Sequence, residues 1–539
     1  MERTLLRRDG GTPPAFRARH APMASGLCLL LLVCAAGAQE PAGRPLAKIP
    51  IGELQSVPGA RAGDEPSGQH RPAANDKVEP PLPAEATSRH SLALPDRTLS
   101  FTAKAGATVF EDAKGAALAE MSYFAYLLDG GEPRRRPVTF VINGGPGSAS
   151  AWLHVGAVGP WRLPITQSAA RPTAPADLLP NAETWLDFTD LVFIDPVGTG
   201  YSRLVGKDKA VREKFWSVQG DINALAIFIK RWLEANGRVD SPKVFLGESY
   251  GGFRGPRIAQ TLQSMPGLAL NGIILASPAL AVPSVDFPGL GKALTRASSF
   301  PSLAAAIADA KGPVSAQQLT AFEREAIVGY LPDLLAGPRD KAAVERLAAR
   351  IAAVTGLDIE TVRQLGPRAS PRAFLNGIDR SSGRTFSTYD ATEKRTAAYD
   401  GPNLIEGGDD LSGLSLQLAR AMTALAQGPL GWKPQREYQV RGQGVGWRWS
   451  GNESVTALRS ALVRDPTFRV LIVHGYADLV TPYFRTKLLL EQMPTIGADN
   501  SRVRLEVYGG GHMFYSRDAS RAQFRKDALA LFEDIAAVR

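Results

Sequence analysis

The chain has 539 residues, 44% hydrophobic and 21% charged, the balance of a globular protein with enough apolar mass for a large core. The formal charge of +9 is spread along the sequence, and no Lys/Arg-dense block interleaved with aromatics occurs, which argues against a nucleic-acid partner. The only two cysteines, Cys28 and Cys34, lie near the N-terminus, so the body of the chain has no disulfide, thiolate nucleophile or thiolate metal ligand.

Residues 1–38 read as a signal peptide. Arg3, Arg7, Arg8, Arg17 and Arg19 form a basic region, Leu27 to Ala36 a short apolar run, and Ala36-Gly37-Ala38 a small-x-small cleavage site. The basic region is long, and Met23 is an alternative start. The apolar run is too short to span a bilayer, so the expectation is export to a periplasmic or extracellular space with no membrane span. Cleavage after Ala38 would remove both cysteines. Residues 39–89, rich in Pro, Ala, Gly and charge with no apolar period, read as a disordered tether.

From residue 90 the pattern becomes globular. Tyr123 to Leu127 reads as a strand, as do the unbroken apolar runs Val138 to Ile142, Leu191 to Ile194, Val244 to Leu246, Ile273 to Ala276 and Val470 to Val473. Such runs, apolar on both sides, suit a parallel sheet covered by helices on both faces. Helical periods separate them, for example Val218 to Trp232. The predicted fold class is α/β: a mostly parallel sheet with flanking helices, its first part at 90–287 and its second at 429–539. Residues 288–428 are rich in Ala, Leu and Arg, with helical periods such as Lys341 to Val354 and no convincing strand. They read as a helical insertion that would cap the catalytic face.

The chemistry lies in the loops after the predicted strands. Gly247-Glu248-Ser249-Tyr250-Gly251 fits G-x-S-x-G between a strand and a helix, the turn that presents a serine nucleophile. The bland alternative is a serine in an ordinary Gly-rich turn. A serine hydroxyl needs a base. Of six histidines, His512 lies in a Gly-rich loop after the strand Arg504 to Tyr508 and before the last helix. His474 directly follows a strand and has a structural reading. Asp478, in the loop after that strand, completes the order Ser, Asp, His followed by α/β-hydrolase triads; its alternative is a helix N-cap. Asn143-Gly144-Gly145-Pro146-Gly147 follows the Val138 strand. Its glycines let backbone N–H groups approach an oxyanion, and the N–H groups of Gly145 and Tyr250 are the expected pair. A phosphate loop is a poor reading, because no Lys follows in G-K-[ST] form. No HExxH-like cluster is present, so neither a metal nor another cofactor is expected.

Together, NGGPGS, Trp185 to Ser202 (WLDFTDLVFIDPVGTGYS), GESYGG, GYADLVTP and GGGHM resemble the ordered landmarks of the serine carboxypeptidase family, over Asn143 to Met513. The resemblance implies an α/β-hydrolase core with a helical cap, no metal, and peptide substrates with a free C-terminus. It also implies that Asn143 and Glu248 bind the substrate carboxylate. Val141 stands where the family usually has Trp, and Ser148 where it often has Cys, features that look like a divergent bacterial-type branch. Three readings compete: a serine-type carboxypeptidase, an esterase or acyltransferase using the same triad, and a non-catalytic binding protein on a hydrolase fold.

Overall fold

The computed structural model describes residues 80–165, 176–206, 208–281, 288–378, 384–396, 411–442, 447, 453–493 and 500–538. The expected signal peptide, residues 1–38, and residues 39–79 of the expected tether lie outside the described residues.

A mixed sheet of ten strands forms the centre. Its strands are β1 (Ala86–Ala93), β2 (Thr98–Glu111), β3 (Ala117–Leu128), β4 (Val138–Ile142), β5 (Asp190–Ile194), β6 (Arg203–Leu204), β7 (Lys243–Glu248), β8 (Gly272–Ala276), β9 (Arg469–Gly475) and β10 (Val503–Tyr508). The order is β1-β2-β3-β5-β4-β7-β8-β9-β10, with the short β6 paired to β3. The first three strands form an antiparallel meander, and β3 meets β5 antiparallel. From β5 to β10 every neighbouring pair is parallel. The meander begins at Ala86, within the segment that the sequence reading gives to the tether.

The period of two along each central strand divides the core into two layers. On one face Val141, Leu191, Phe193, Val244 and Leu246 pack together; on the other lie Phe140, Ile142, Val192, Ile194 and Phe245. A strand buried on both faces needs a continuous apolar run, which is why these segments read as VTFVI, DLVFI and GIILA. The second face is covered by α1 (Val218–Ala235) and α2 (Tyr250–Gln263).

Between β8 and β9 the chain forms α3 (Pro288–Asp309), α4 (Ala316–Glu325), α5 (Lys341–Thr355), α6 (Ile359–Leu365) and α7 (Pro371–Ile378). Ser315, Asp340 and Asp358 cap α4, α5 and α6 by accepting hydrogen bonds from backbone N–H groups of the first turn. These helices bury a core of their own, including Phe300, Leu303, Leu347, Ile351 and Phe374, which continues into Tyr476, Ala477 and Tyr483 after β9. A short hairpin, Arg384–Phe386 with Lys394–Thr396, interrupts the helices where the sequence reading expects no strand.

The next helix, α8 (Ser412–Gln427), departs from the sequence boundary at 428. Its Leu414, Leu418, Met422 and Leu425 pack into the first layer of the main core, not into the core of the insertion. The fold closes with α9 (Val455–Arg464) on the second face, α10 (Tyr483–Glu491), and α11 (Asp518–Ala537), whose Phe524, Leu531 and Ile535 cover the first face. Among the described residues no helix is long and apolar enough to cross a membrane.

Candidate active site

β7 ends at Glu248 and α2 begins at Tyr250, which leaves Ser249 alone to turn the chain. Its φ of 58° and ψ of −118° lie in a region that a residue with a side chain rarely adopts. The strain is held in place by the Ser249 N–H, which donates to Ala276 O on β8 at 2.9 Å. The flanking glycines are a packing requirement. A Cβ on Gly247 would lie 2.3 Å from Gly251 O, and one on Gly251 would lie 2.7 Å from Ile142 O.

His512 follows β10. Its Nδ1 lies 2.7 Å from Asp478 Oδ2, and both side chains are buried. Asp478 also accepts from the N–H groups of Val480 and Thr481 at 2.8 and 3.0 Å, and from Thr481 Oγ1 at 2.7 Å. The His512 loop is held from two sides. Ser277, itself at φ 43°, donates from Oγ to His512 O at 2.8 Å, and Gly511 N donates to Asp390 Oδ2 of the insertion at 3.0 Å. Burial disfavours the imidazolium, but the charge of Asp478 and its hydrogen bond outweigh burial and raise the His512 pKa above the usual histidine value. Burial likewise pushes against the Asp478 carboxylate, yet His512 and the hydrogen bonds hold it below the usual range.

Glu248 is buried directly beside Ser249. Tyr515 Oη donates to its Oε2 at 2.6 Å. Burial pushes the carboxyl up to about 7, opposed by His512, Tyr515 and Asn143. Asn143 accepts from Leu153 N at 2.9 Å through Oδ1, while its buried Nδ2 stays outside hydrogen-bond geometry with any partner among the described residues. An acid that is neutral in part near pH 7 and the Asn143 amide therefore border one space.

The Gly-rich loop after β4 lies against the turn at Ser249. A Cβ on Gly144 would lie 2.6 Å from Tyr250 N and 2.7 Å from Ser249 Cβ; Gly145 has φ +103°. Arg254 fixes this approach. It is wholly buried on α2, donates to Asn143 O at 2.7 Å, and is held by Asp221 of α1 through Nε and Nη2 at 2.6 and 3.1 Å. Asn143, Gly145, Glu248, Ser249 and His512 all line a single cavity of about 300 Å³. Tyr250 is not among the lining residues; its N–H lies against Gly144 of the loop, and its ring is buried against Phe253 and Trp447.

The remaining landmarks are structural. Asp195, in DPVGTGYS, accepts from Ser150 N at 2.9 Å and from Tyr438 Oη at 3.0 Å, and burial pushes its carboxyl up to about 6. A Cβ at Gly200 would lie 1.9 Å from Asp195 Oδ2, which accounts for that glycine. His154 stacks on Phe193 at 4.0 Å, and burial lowers its pKa to about 3. His474 pairs with Thr486 Oγ1 at 3.0 Å, and burial lowers it to about 4. Neither ring lines the cavity. Tyr515, Arg254, Asp221, Ser277 and Asp390 escape sequence reasoning, since each acts through a partner far away along the chain. Among the described residues no group of three or more His, Cys, Asp or Glu side chains could hold a metal ion.

Residues 96–280 match the family model described as serine carboxypeptidase. The match covers the Gly-rich loop and the turn at Ser249; Asp478 and His512 lie beyond it. Among curated proteins, the pheromone-processing carboxypeptidase KEX1 of Arthroderma otae is 34% identical over 131 residues, 24% of this chain and 18% of that protein. The protein of the same name from Leptosphaeria maculans is 30% identical over 152 residues, 27% of this chain and 21% of that protein. The similarity thus spans about a fifth of the length of these curated relatives. They are fungal, and give the expected bacterial-type branch no support. The crystal structure of Kex1(delta)p, a prohormone-processing carboxypeptidase from Saccharomyces cerevisiae, superposes with a TM-score of 0.50 at 16% identity, covering 84% of this chain and 92% of that one. The shared architecture is the α/β-hydrolase fold.

Proposed function

We propose that the chain is a serine-type carboxypeptidase, which removes residues from the C-termini of peptides through an acyl-enzyme on Ser249. The observation that carries this reading is the buried Glu248 beside the strained serine, sharing one cavity with the Asn143 amide and with His512. An esterase needs a nucleophile, a base and oxyanion donors, but has no use for an acid held near neutrality beside the nucleophile. A reader of carboxylates does.

In this mechanism Ser249 Oγ attacks the scissile carbonyl carbon while His512 Nε2 takes its proton. His512 Nδ1 is engaged by Asp478, which fixes the tautomer and stabilises the imidazolium. The N–H groups of Gly145 and Tyr250 receive the oxyanion. Collapse of the intermediate breaks the C–N bond, and His512 passes its proton to the departing amine. A water then repeats the sequence on the ester and frees Ser249. Glu248 in its protonated form and Asn143 Nδ2 donate to the terminal carboxylate of the substrate. Val141, buried on β4, leaves that site without the aromatic neighbour common in the family. The insertion caps the catalytic face, a role supported by Tyr389, which lines the cavity. Export through the leader that ends at Ala38 fits the basic and apolar grammar of residues 1–38.

The test is the pH dependence of kcat/KM for an acylated dipeptide and for its C-terminal amide. Below about pH 7 Glu248 is protonated and donates to the substrate carboxylate; above it two negative charges meet. KM for the free acid therefore climbs as pH rises through that region, while His512, which acts as base only when neutral, favours higher pH for kcat. The free acid is expected to have the more acidic optimum, and Glu248→Gln to flatten its rise in KM. Because Glu248 and His512 interact, the profiles report values that belong to the pair. Coincident acid and amide profiles in the wild type would remove the carboxylate-reading role.

A further inference from the structure

The mechanism leaves one charged residue of the cavity without a task. Arg441 lines the same space as Ser249, Glu248 and His512. Its backbone is fixed by the loop that borders the nucleophile: Ser148 and Arg441 form an antiparallel bridge, Ala149 N donates to Val440 O at 2.9 Å, and Gly442 N donates to Gly147 O at 2.8 Å. The Arg441 Cα is thus set against the 143–148 loop and cannot drift with the surface.

Its side chain is poorly used. A guanidinium offers five N–H donors. Here Nη2 donates to Tyr389 Oη at 3.3 Å, and no carboxylate lies within ion-pair distance among the described residues. The lining of the cavity also includes the apolar side chains of Val480, Leu411 and Trp152. The one carboxyl that lines the cavity, Glu248, is bound to Tyr515. In acidic conditions the space therefore presents a fixed positive charge and no fixed negative one.

We infer that Arg441, with the Tyr389 hydroxyl, forms a subsite for an acidic side chain on the peptide, so that the protein prefers Asp or Glu next to the scissile bond and disfavours Lys or Arg there. This rests on the peptidase reading. A carboxylate offers the planar, two-oxygen face that a guanidinium matches with paired hydrogen bonds, and a cationic side chain at the same place would meet like charge. Arg441 is exposed, so solvent screens the pair, and the discrimination is modest and weakens with salt. The carboxylate has two possible sources, the residue before the scissile bond or the one after it.

The experiment uses defined acylated peptides that carry Glu, Gln or Lys at each of those two positions in turn, with the full chain and its Arg441→Gln and Arg441→Glu variants. A serine-directed phosphonate titrates Ser249 in every preparation. The readout is the ratio of kcat/KM for Glu to that for Gln. In the wild type it is expected on the order of tenfold at one of the two positions, as for a hydrogen bond to a charged group. It should shrink at 0.5 M salt, fall to near one in Arg441→Gln, and invert in favour of Lys in Arg441→Glu. The position that responds identifies the source. A Glu-to-Gln ratio equal in wild type and Arg441→Gln, with peptides still turned over, would overturn the subsite alone. Phosphonate labelling without turnover of any peptide would sink the peptidase reading and the subsite with it.

Discussion

Ser249 and His512 carry different loads from the residues around them, and substitution separates the two kinds. Ser249→Ala and His512→Ala are each expected to lower kcat on the order of a millionfold, and the double variant no further, because nucleophile and base act as one unit. His474→Ala keeps measurable turnover, since that ring faces Thr486 and is held neutral by burial. Substantial activity in folded His512→Ala would remove the assigned base. At this scale the sequence is most legible where function depends on a short run after a strand: GESYG, NGGPG and GGGHM each name residues that the structure gathers on one cavity. It is least legible where a contact joins distant segments. Tyr515 and Glu248 are 267 positions apart, and Arg254 and Asn143 are 111 apart. No local pattern marks such pairs; only the folded sheet brings them together.

Among the elements, α2 and the two loops it faces form the frame of the site. The Arg254–Asp221 pair ties α2 to α1 and carries the Asn143 carbonyl with it. Asp221→Ala would leave a fully buried guanidinium uncompensated and is expected to cost about 3–5 kcal/mol, read as a lower midpoint in urea unfolding. An unchanged midpoint would mean that water or a rearranged partner replaces the carboxylate. The insertion has a similar hold on His512. A Cβ on Gly511 would lie 2.0 Å from Tyr389 O, so Gly511→Ala forces the hairpin region and the His512 loop apart. A misplacement of about 1 Å costs roughly a hundredfold in rate, so kcat should fall by about that factor while the unfolding midpoint stays closer to wild type than in Asp221→Ala. Element boundaries were harder to read than element types. β1 and β2 do not stand out in the sequence because Ala, Gly and Lys, residues of low strand preference, interrupt their apolar alternation. The helical character of α8 is plain in sequence, but whether its apolar face meets the insertion or the sheet is a tertiary matter, decided here for the sheet.

The whole molecule pairs a covered α/β sheet with a helical insertion that has its own core, and the candidate site lies in the loops after β4, β7, β9 and β10. Its chemistry is expected to run on the chain's own side chains. Chelators and thiol-alkylating reagents should leave turnover intact, and serine-directed reagents should abolish it. Activity lost to EDTA and restored by a divalent ion would contradict the account. The fold class was legible because buried strands must be continuously apolar and helices periodic; the packing of the insertion against the His512 loop was not, because no sequence period encodes it. The most direct test of the central claim is mass spectrometry of a peptide library after incubation with the protein, reading which end shortens. The account expects a ladder that loses residues one at a time from free C-termini, spares C-terminally amidated peptides, and vanishes with Ser249→Ala. Ladders from the N-terminus, internal cleavage, or equal loss from amidated peptides would contradict it.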